Sequence, residues 1–272
     1  MSEASDALEF AIKKAVSSGN IPTQLPQWMV DLGITPGTKI VSSERIGGDR
    51  NNKTDVIVSL NNSNPIKISA KLSNADFFGN WYGHVRFIEE FGEEAFRKLS
   101  KNITAWANWW LQQTNVPFVG VSICFGRRSG NTAKEFMEIF NYEDIVKIVA
   151  GYGTGNHVAN CLYISSNHPR NISDVINNLR PISPTTLEAI SKNFKVAYRP
   201  INPMTEGTNR GKNIYTMFKP YKRLSQLETV TTPRRLAELG CFVEVEPNRV
   251  NHNHVLDSLH KEYNIYIPRK PK

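Results

Sequence analysis

The sequence predicts an α/β protein of the α+β kind, with a mixed central β-sheet flanked by helices and a β-rich C-terminal part. Three observations predict it. Apolar side chains follow helical spacing near the N-terminus, alternate with polar ones over 54–72, and follow helical spacing again over 81–113. A helix, three strands, a helix and a further strand form a typical α/β core. At 272 residues the chain is long enough to bury such a core.

The individual elements follow from the same periodicities and from the residues that interrupt them. Gly19-Asn20 ends the first helix, and Gly47-Gly48-Asp49 separates the first strand from the hairpin. The predicted helices are 5–18, 26–32, 81–113 with a break near Gly92, 132–140, 142–150 and 254–263. The predicted strands are 38–46, the two strands of the hairpin at 54–72, 117–125 and 158–165. From residue 194 to the last helix we expect short strands joined by turns.

Composition and charge restrict the class of protein. The chain contains no run of about 18 apolar residues, so no membrane span is expected. The first residues are polar and acidic, unlike a signal or transit peptide. Three widely spaced cysteines are typical of buried thiols in a reducing compartment, and we expect a cytoplasmic protein.

The net charge of +8 is concentrated in one segment, residues 192–235, which holds ten basic and two acidic residues. Such a concentration indicates a surface that faces a polyanion. Aromatic residues are interleaved with these charges, as expected beside phosphates and bases. They are Tyr198, Tyr215, Phe218 and Tyr221.

The hairpin carries the residues with the clearest chemistry. Strand side chains alternate between faces, so Val56, Val58 and Leu60 lie on one face and Asp55 on the other. On the second strand the apolar residues leave Ser69 and Lys71 opposite them. If both apolar faces cover one core, we expect Asp55, Ser69 and Lys71 to converge on the open side of the hairpin. A carboxylate can bind a divalent metal, and a neighbouring lysine can position water and stabilise phosphate charge.

Asp55, a turn and then Ser69-Ala70-Lys71 resemble the PD-(D/E)XK nucleases, and type II restriction endonucleases most. The resemblance covers residues 1–125 and implies that Asp55 binds Mg²⁺ and that Lys71 activates water. Thr54 stands where the family often has proline, and Ser69 stands where it usually has a second acid. The hydroxyl of Ser69 can hold a metal-bound water.

Another carboxylate must then replace the acid missing at position 69. The family usually has a glutamate on its N-terminal helix, and Glu9 occupies such a helix here. Glu44, on the strand before the hairpin, is the alternative metal ligand. Glu89 and Glu90 on the following helix are less favoured, because their spacing from Lys71 is looser.

The remaining part, 126–272, is expected to bind and read DNA, either as a separate domain or integrated with the core. Arginine and lysine on polar loops can contact phosphates or guanine. The candidate DNA-binding residues are Arg127, Arg128, Lys134, Arg210, Lys212, Lys219, Lys222 and Arg223.

Together these features predict a Mg²⁺-dependent, sequence-specific endonuclease that cleaves double-stranded DNA in a restriction-modification system. Two alternatives remain open. One is a DNA-binding protein that retains a degenerate, non-catalytic nuclease core, and Ser69 favours it. The other is a repair or transposition nuclease of the same superfamily. The oligomeric state is open too, with a homodimer among the alternatives.

Overall fold

The computed structural model describes residues 3–46, 52–73, 77–79, 82–126, 131–191, 195–205, 213–247 and 250–270. It confirms the predicted α+β class, with helices and strands both well represented. The helices are α1 (Glu3–Ala15), α2 (Gln27–Asp31), α3 (His84–Leu111), α4 (Tyr142–Ala150), α5 (Ile172–Asn178), α6 (Pro184–Ser191), α7 (Pro233–Leu239) and α8 (His252–Tyr263), with a 3-10 turn at Phe136–Glu138.

The strands are short, and most lie in two larger sheets. They are β1 (Ile40–Arg45), β2 (Val56–Leu60), β3 (Ile66–Lys71), β4 (Phe77–Gly79), β5 (Val121–Gly126), β6 (Ala133–Glu135), β7 (Cys161–Ile164), β8 (Leu179–Pro181), β9 (Lys195–Pro200), β10 (Thr216–Pro220), β11 (Glu228–Thr229), β12 (Gly240–Glu244) and β13 (Ile265–Tyr266). Among the helices of the described ranges, none combines the length and apolarity needed to cross a membrane.

The chain forms two compact units, each built from two segments of sequence. The first unit contains Met1–Phe78 and Asn141–Asn193, and the second contains Gly79–Phe140 and Phe194–Lys272. The compact units therefore do not follow the predicted division at residue 125. The reason is that β7, far along the chain, pairs in parallel with β3 and so completes the sheet of the first unit.

The first unit is a five-stranded mixed sheet with strand order β1-β2-β3-β7-β8. The predicted phase of the hairpin is confirmed on one face. Val56 and Val58 on β2 and Ile68 on β3 are fully buried in one core with Leu8 and Ile12 of α1. Because α1 presents its apolar stripe to this face, burial of these side chains holds the helix against the sheet.

The second unit has a sheet in which β9 lies between β5 and β6, and a core rich in aromatic rings. Its long helix α3 contains the predicted break, since Gly92 has a φ of 85° and a ψ of 168°. Two expectations were wrong here. Residues 132–140 form β6 and a 3-10 turn instead of a helix, because Lys134 pairs with Val196 on β9. Helix α7 was also not predicted, although Thr232 caps it.

Candidate active site

The hairpin β2–β3 brings an acid and a lysine together at one end. The two strands pair antiparallel with Val56 opposite Ile68, which places Asp55 beside the last residues of β3. The backbone N–H of Asp55 donates to the Ile68 carbonyl at 2.8 Å. Asp55 therefore has a fixed backbone position, and its side chain lies beside the end of β3.

The carboxylate of Asp55 is held by two donors from β3. Its Oδ2 accepts a 2.7 Å hydrogen bond from the Ala70 backbone N–H and lies 3.3 Å from Lys71 Nζ. Lys71 Nζ also donates to the Ala70 carbonyl at 3.0 Å. The side chains of Asp55 and Lys71 are only 18% and 19% exposed, yet both reach solvent. Oδ1 of Asp55 has no hydrogen-bond partner among the described residues, so it can bind a ligand.

Ser69 does not face an open side of the hairpin, and that expectation was wrong. The serine is fully buried, and its hydroxyl donates a 3.1 Å hydrogen bond to the Val149 carbonyl in the last turn of α4. A carbonyl at the end of a helix lacks an intrahelical partner, so Ser69 satisfies it. The helix covers this part of the sheet and leaves no space for a metal-bound water at the Ser69 hydroxyl.

Glu9 lies close enough to Asp55 for their charges to interact. It is on α1, it is buried, and its Oε2 accepts a 2.7 Å hydrogen bond from Arg45 Nη2. Burial raises the pKa of the Glu9 carboxyl, the hydrogen bond from Arg45 opposes this, and the nearby charge of Asp55 raises the pKa further. Arg45 also pairs with Asp6 at 2.8 Å, so it fixes the position of Glu9.

Glu44 stands on the same face of the sheet as Asp55. On β1 it is paired with Ile57, and Asp55 precedes Ile57 by two residues, so the two acids are diagonal neighbours. Such neighbours lie about 7–8 Å apart between Cα atoms. The side chain of Glu44 is exposed. Glu44 therefore lies on the same face of the sheet as Asp55, whereas Glu9 is on α1, which covers the opposite face.

The donor set around Asp55 is compatible with a hard divalent cation. No group of three or more metal-binding side chains is present within the described ranges. Mg²⁺ does not need one, because it is often bound by one or two carboxylates together with substrate phosphate oxygens and waters. Oδ1 of Asp55, which has no partner among the described residues, is an oxygen of the kind that Mg²⁺ binds.

The described candidates for DNA contact lie in the second unit. Lys134 is half-buried on β6, while Lys219, Lys222 and Arg223 are exposed at and after the end of β10. None of the four is ion-paired with a carboxylate in the part of the chain that the structure describes. Exposed unpaired cations are suited to phosphate contacts. The other predicted contacts, Arg127, Arg128, Arg210 and Lys212, lie outside the described residues.

The aromatic residues of the basic segment do not flank an anion-binding surface as a group. Tyr198, Tyr215 and Phe218 are buried in the core of the second unit, and Tyr221 alone of the four is exposed, at 68%. The spacing of these aromatic residues is therefore explained by packing in the core and not by a ligand. Arg45 is the residue that the sequence analysis missed. Its place on a strand, next to Glu44 and preceded by Ser42-Ser43, offered no signal that it would reach across to α1.

Comparison with known proteins adds no relative from which a function could be transferred. No family model matches the chain, and neither a curated protein nor a solved structure does. The geometry of the chain itself is therefore what a functional proposal can use.

Proposed function

We propose that this protein is a Mg²⁺-dependent endonuclease that cleaves double-stranded DNA at specific sites, of the type II restriction kind. One observation carries the proposal. Lys71 Nζ and the Asp55 carboxylate meet at 3.3 Å at the ends of paired strands, and both side chains remain accessible to solvent. An accessible acid and amine at this spacing can act together on a phosphodiester and its attacking water.

Asp55, with Glu9 or Glu44, would hold the metal. When bound, Mg²⁺ polarises a phosphoryl oxygen and lowers the pKa of a coordinated water. The residues of the chain supply the rest. The Ala70 N–H and Lys71 hold Oδ2 of Asp55, which leaves Oδ1 available to a ligand among the described residues. The amine of Lys71, anchored on the Ala70 carbonyl, retains a donor that can orient water or stabilise charge on the phosphate.

The second unit supplies cations that suit a DNA substrate. Lys219, Lys222 and Arg223 are exposed, and they are close in sequence to Tyr221, whose ring is also exposed. They can therefore contact several phosphates of one duplex. Such contacts position a duplex without reading its sequence. This supports DNA as the substrate and leaves the recognition site to other residues.

A second candidate function is DNA binding without cleavage. The observation that favours it is Ser69, which stands where PD-(D/E)XK nucleases usually carry an acid and whose hydroxyl donates to the Val149 carbonyl. In that case the Asp55–Lys71 pair would be a structural ion pair only.

The test is incubation of the purified protein with mixed-sequence plasmid DNA, with and without Mg²⁺. We expect discrete fragments with Mg²⁺ and intact DNA with EDTA. A uniform smear at every salt concentration would favour a non-specific or repair nuclease. Tight binding without any cleavage across Mg²⁺, Mn²⁺ and Ca²⁺ would favour the non-catalytic protein.

A further inference from the structure

A pocket of about 410 Å³ lies in the second unit between α3 and β6. Its volume is within the range of small-molecule sites, which hold about 300–1,000 Å³. Its lining combines indole rings with an amide and an amine. The lining residues are Asn102, Ala105, Trp106, Trp109, Asn131, Ala133 and Lys134.

Two tryptophans give the pocket one buried indole ring and one partly exposed ring, the second of which is tilted against Trp110 with centroids 5.8 Å apart. Trp106 is buried, its indole N–H donates to the Asn131 carbonyl at 2.9 Å, and it stacks on Trp110 with ring centroids 5.5 Å apart. Trp109 is 48% exposed. A large flat ring left in water beside a pocket can gain free energy by stacking on a planar ligand.

Asn102 lines the same pocket with an amide side chain. Its Oδ1 accepts a 2.7 Å hydrogen bond from the Tyr198 hydroxyl. Tyr198 is fully buried, and burial raises its pKa, so the hydroxyl keeps its proton and remains the donor. The NH₂ of Asn102 is therefore available to a ligand acceptor, such as a ring nitrogen or carbonyl oxygen of a base.

Lys134 adds a cation to the lining of the pocket. It is half-buried on β6 and, within the described ranges, forms no ion pair, whereas its neighbour Glu135 pairs with Lys195. A planar stacking surface, a fixed amide donor and a free amine together match one nucleotide, with the base on Trp109, an acceptor atom at Asn102 and the phosphate at Lys134.

We propose that this pocket binds a single unpaired nucleobase, stacked on Trp109, from a single strand or turned out of a duplex. A base inside a duplex is covered on both faces, so it can stack on Trp109 only after it leaves the helix. That the ligand is a nucleic acid rests on the proposed function. Base binding itself needs neither metal nor cleavage.

The experiment uses ten-nucleotide single strands in EDTA. One strand carries 2-aminopurine at its central position and abasic sugars elsewhere, and the other is abasic throughout. The ratio of their Kd values, measured by anisotropy, isolates the contribution of the base. We expect the abasic strand to bind about tenfold more weakly, as stacking on an aromatic side chain requires, and 2-aminopurine fluorescence to fall on binding.

Variants assign the effect to the pocket. Trp109→Ala and Asn102→Ala should bring the ratio towards one, while Trp109→Phe should retain most of it. Val85→Ala, at an exposed position of the same helix outside the pocket, should leave it unchanged. Lys134→Ala should weaken both strands equally, and Lys261→Ala, on α8, neither.

A ratio near one for the wild type, or a ratio that survives Trp109→Ala, would overturn the proposal. The plasmid experiment tests the nuclease function independently of the pocket. A protein that shows the base effect but never cleaves DNA loses the nuclease function and keeps the pocket. A protein that cleaves DNA without the base effect loses the pocket alone.

Discussion

Two pairs of opposite charge, one in each unit, differ in what surrounds the carboxylate. In the first unit Asp55 is 18% exposed and keeps Oδ1 without a described partner. In the second unit the side chain of Glu90 is 1% exposed, and Arg86 Nε lies 2.8 Å from its Oε1. An acid beside a base is thus common to both, and access to the carboxylate is what separates a candidate reactive pair from a structural one.

The closed pair is also held more tightly. Arg86 and Glu90 are one turn apart on α3, so the helix itself sets their spacing. The guanidinium of Arg86 lies 4.2 Å from the Tyr82 ring centroid and donates to the Tyr82 hydroxyl at 3.1 Å. The open pair instead joins two strands with a single long contact. We infer that the first pair can exchange partners with a substrate and the second cannot.

The largest effect is expected at the open pair. Asp55→Ala should reduce DNA cleavage by about a thousandfold or more, because a metal-binding carboxylate contributes several kcal/mol to transition-state stabilisation. Single-turnover cleavage at saturating protein measures it. Asp174→Ala is the matched control, since Asp174 is an acid of the same unit that pairs with Arg170 on α5 and its N-terminal flank, away from Asp55. Equal losses in both variants would argue against a special role for Asp55.

The closed pair should affect stability and not chemistry. Arg86→Met should lower the free energy of unfolding by about 3–5 kcal/mol, because it leaves the Glu90 charge buried without its partner. Urea denaturation measures it, with Arg97→Met, in a pair that is 60% and 66% exposed, expected to change it by under about 1 kcal/mol. Cleavage per folded molecule should be unchanged. A loss of cleavage without a loss of stability would place Arg86 in the active site.

His84, on the same helix as the closed pair, should make the free energy of unfolding depend on pH. His84 is buried against Tyr215, whose hydroxyl donates to the Tyr82 carbonyl, and burial lowers the pKa of His84 to about 4. At pH values between about 4 and ~6.5, His84 is protonated in the unfolded chain and neutral in the folded chain. The contribution of His84 is therefore complete above pH ~6.5 and is lost as the pH falls, by up to about 3 kcal/mol.

Urea denaturation at several pH values should detect this titration. His84→Gln should remove that part of the pH dependence, because glutamine does not titrate. His254→Gln, at an exposed position on α8, should not. If the wild type and His84→Gln lose stability in parallel as the pH falls, the titrating group lies elsewhere.

The smallest effect concerns Ser69, beneath the open pair. Ser69→Ala should lower the free energy of unfolding by about 1 kcal/mol, since it removes one hydrogen bond to the Val149 carbonyl. Cleavage should persist, because the Ser69 hydroxyl donates to the Val149 carbonyl of α4 and is not available to a substrate. Abolished cleavage by a folded Ser69→Ala protein would restore a catalytic role to the serine.

Sequence periodicity was sufficient for the buried face of the hairpin, because alternation alone decides which side of a strand is apolar. It predicted that Asp55 and Lys71 would meet, and they do. It could not predict that α4 covers Ser69, because that contact joins residues 80 positions apart. Parallel pairing of β3 with β7 is equally non-local.

The two errors in the second unit have different causes. Phe136 and Phe140 have helical spacing, but the chain forms a 3-10 turn at Phe136–Glu138. The two rings stack on each other with centroids 4.6 Å apart. Helix α7 had readable signals, with Thr232 as its cap and Pro233 in its first turn.

The most direct measurement of the central claim compares two lysines on one strand. Lys71 contacts Asp55, whereas Lys67, four residues earlier on β3, donates to the Gly155 carbonyl at 2.8 Å. DNA binding and single-turnover cleavage with Mg²⁺ should be measured for the wild type, Lys71→Ala and Lys67→Ala. We expect Lys71→Ala to bind DNA with a nearly unchanged Kd and to lose at least about a hundredfold in cleavage rate, with Lys67→Ala close to the wild type. Cleavage by Lys71→Ala at the wild-type rate would contradict the assignment of Asp55 and Lys71 as the reactive pair.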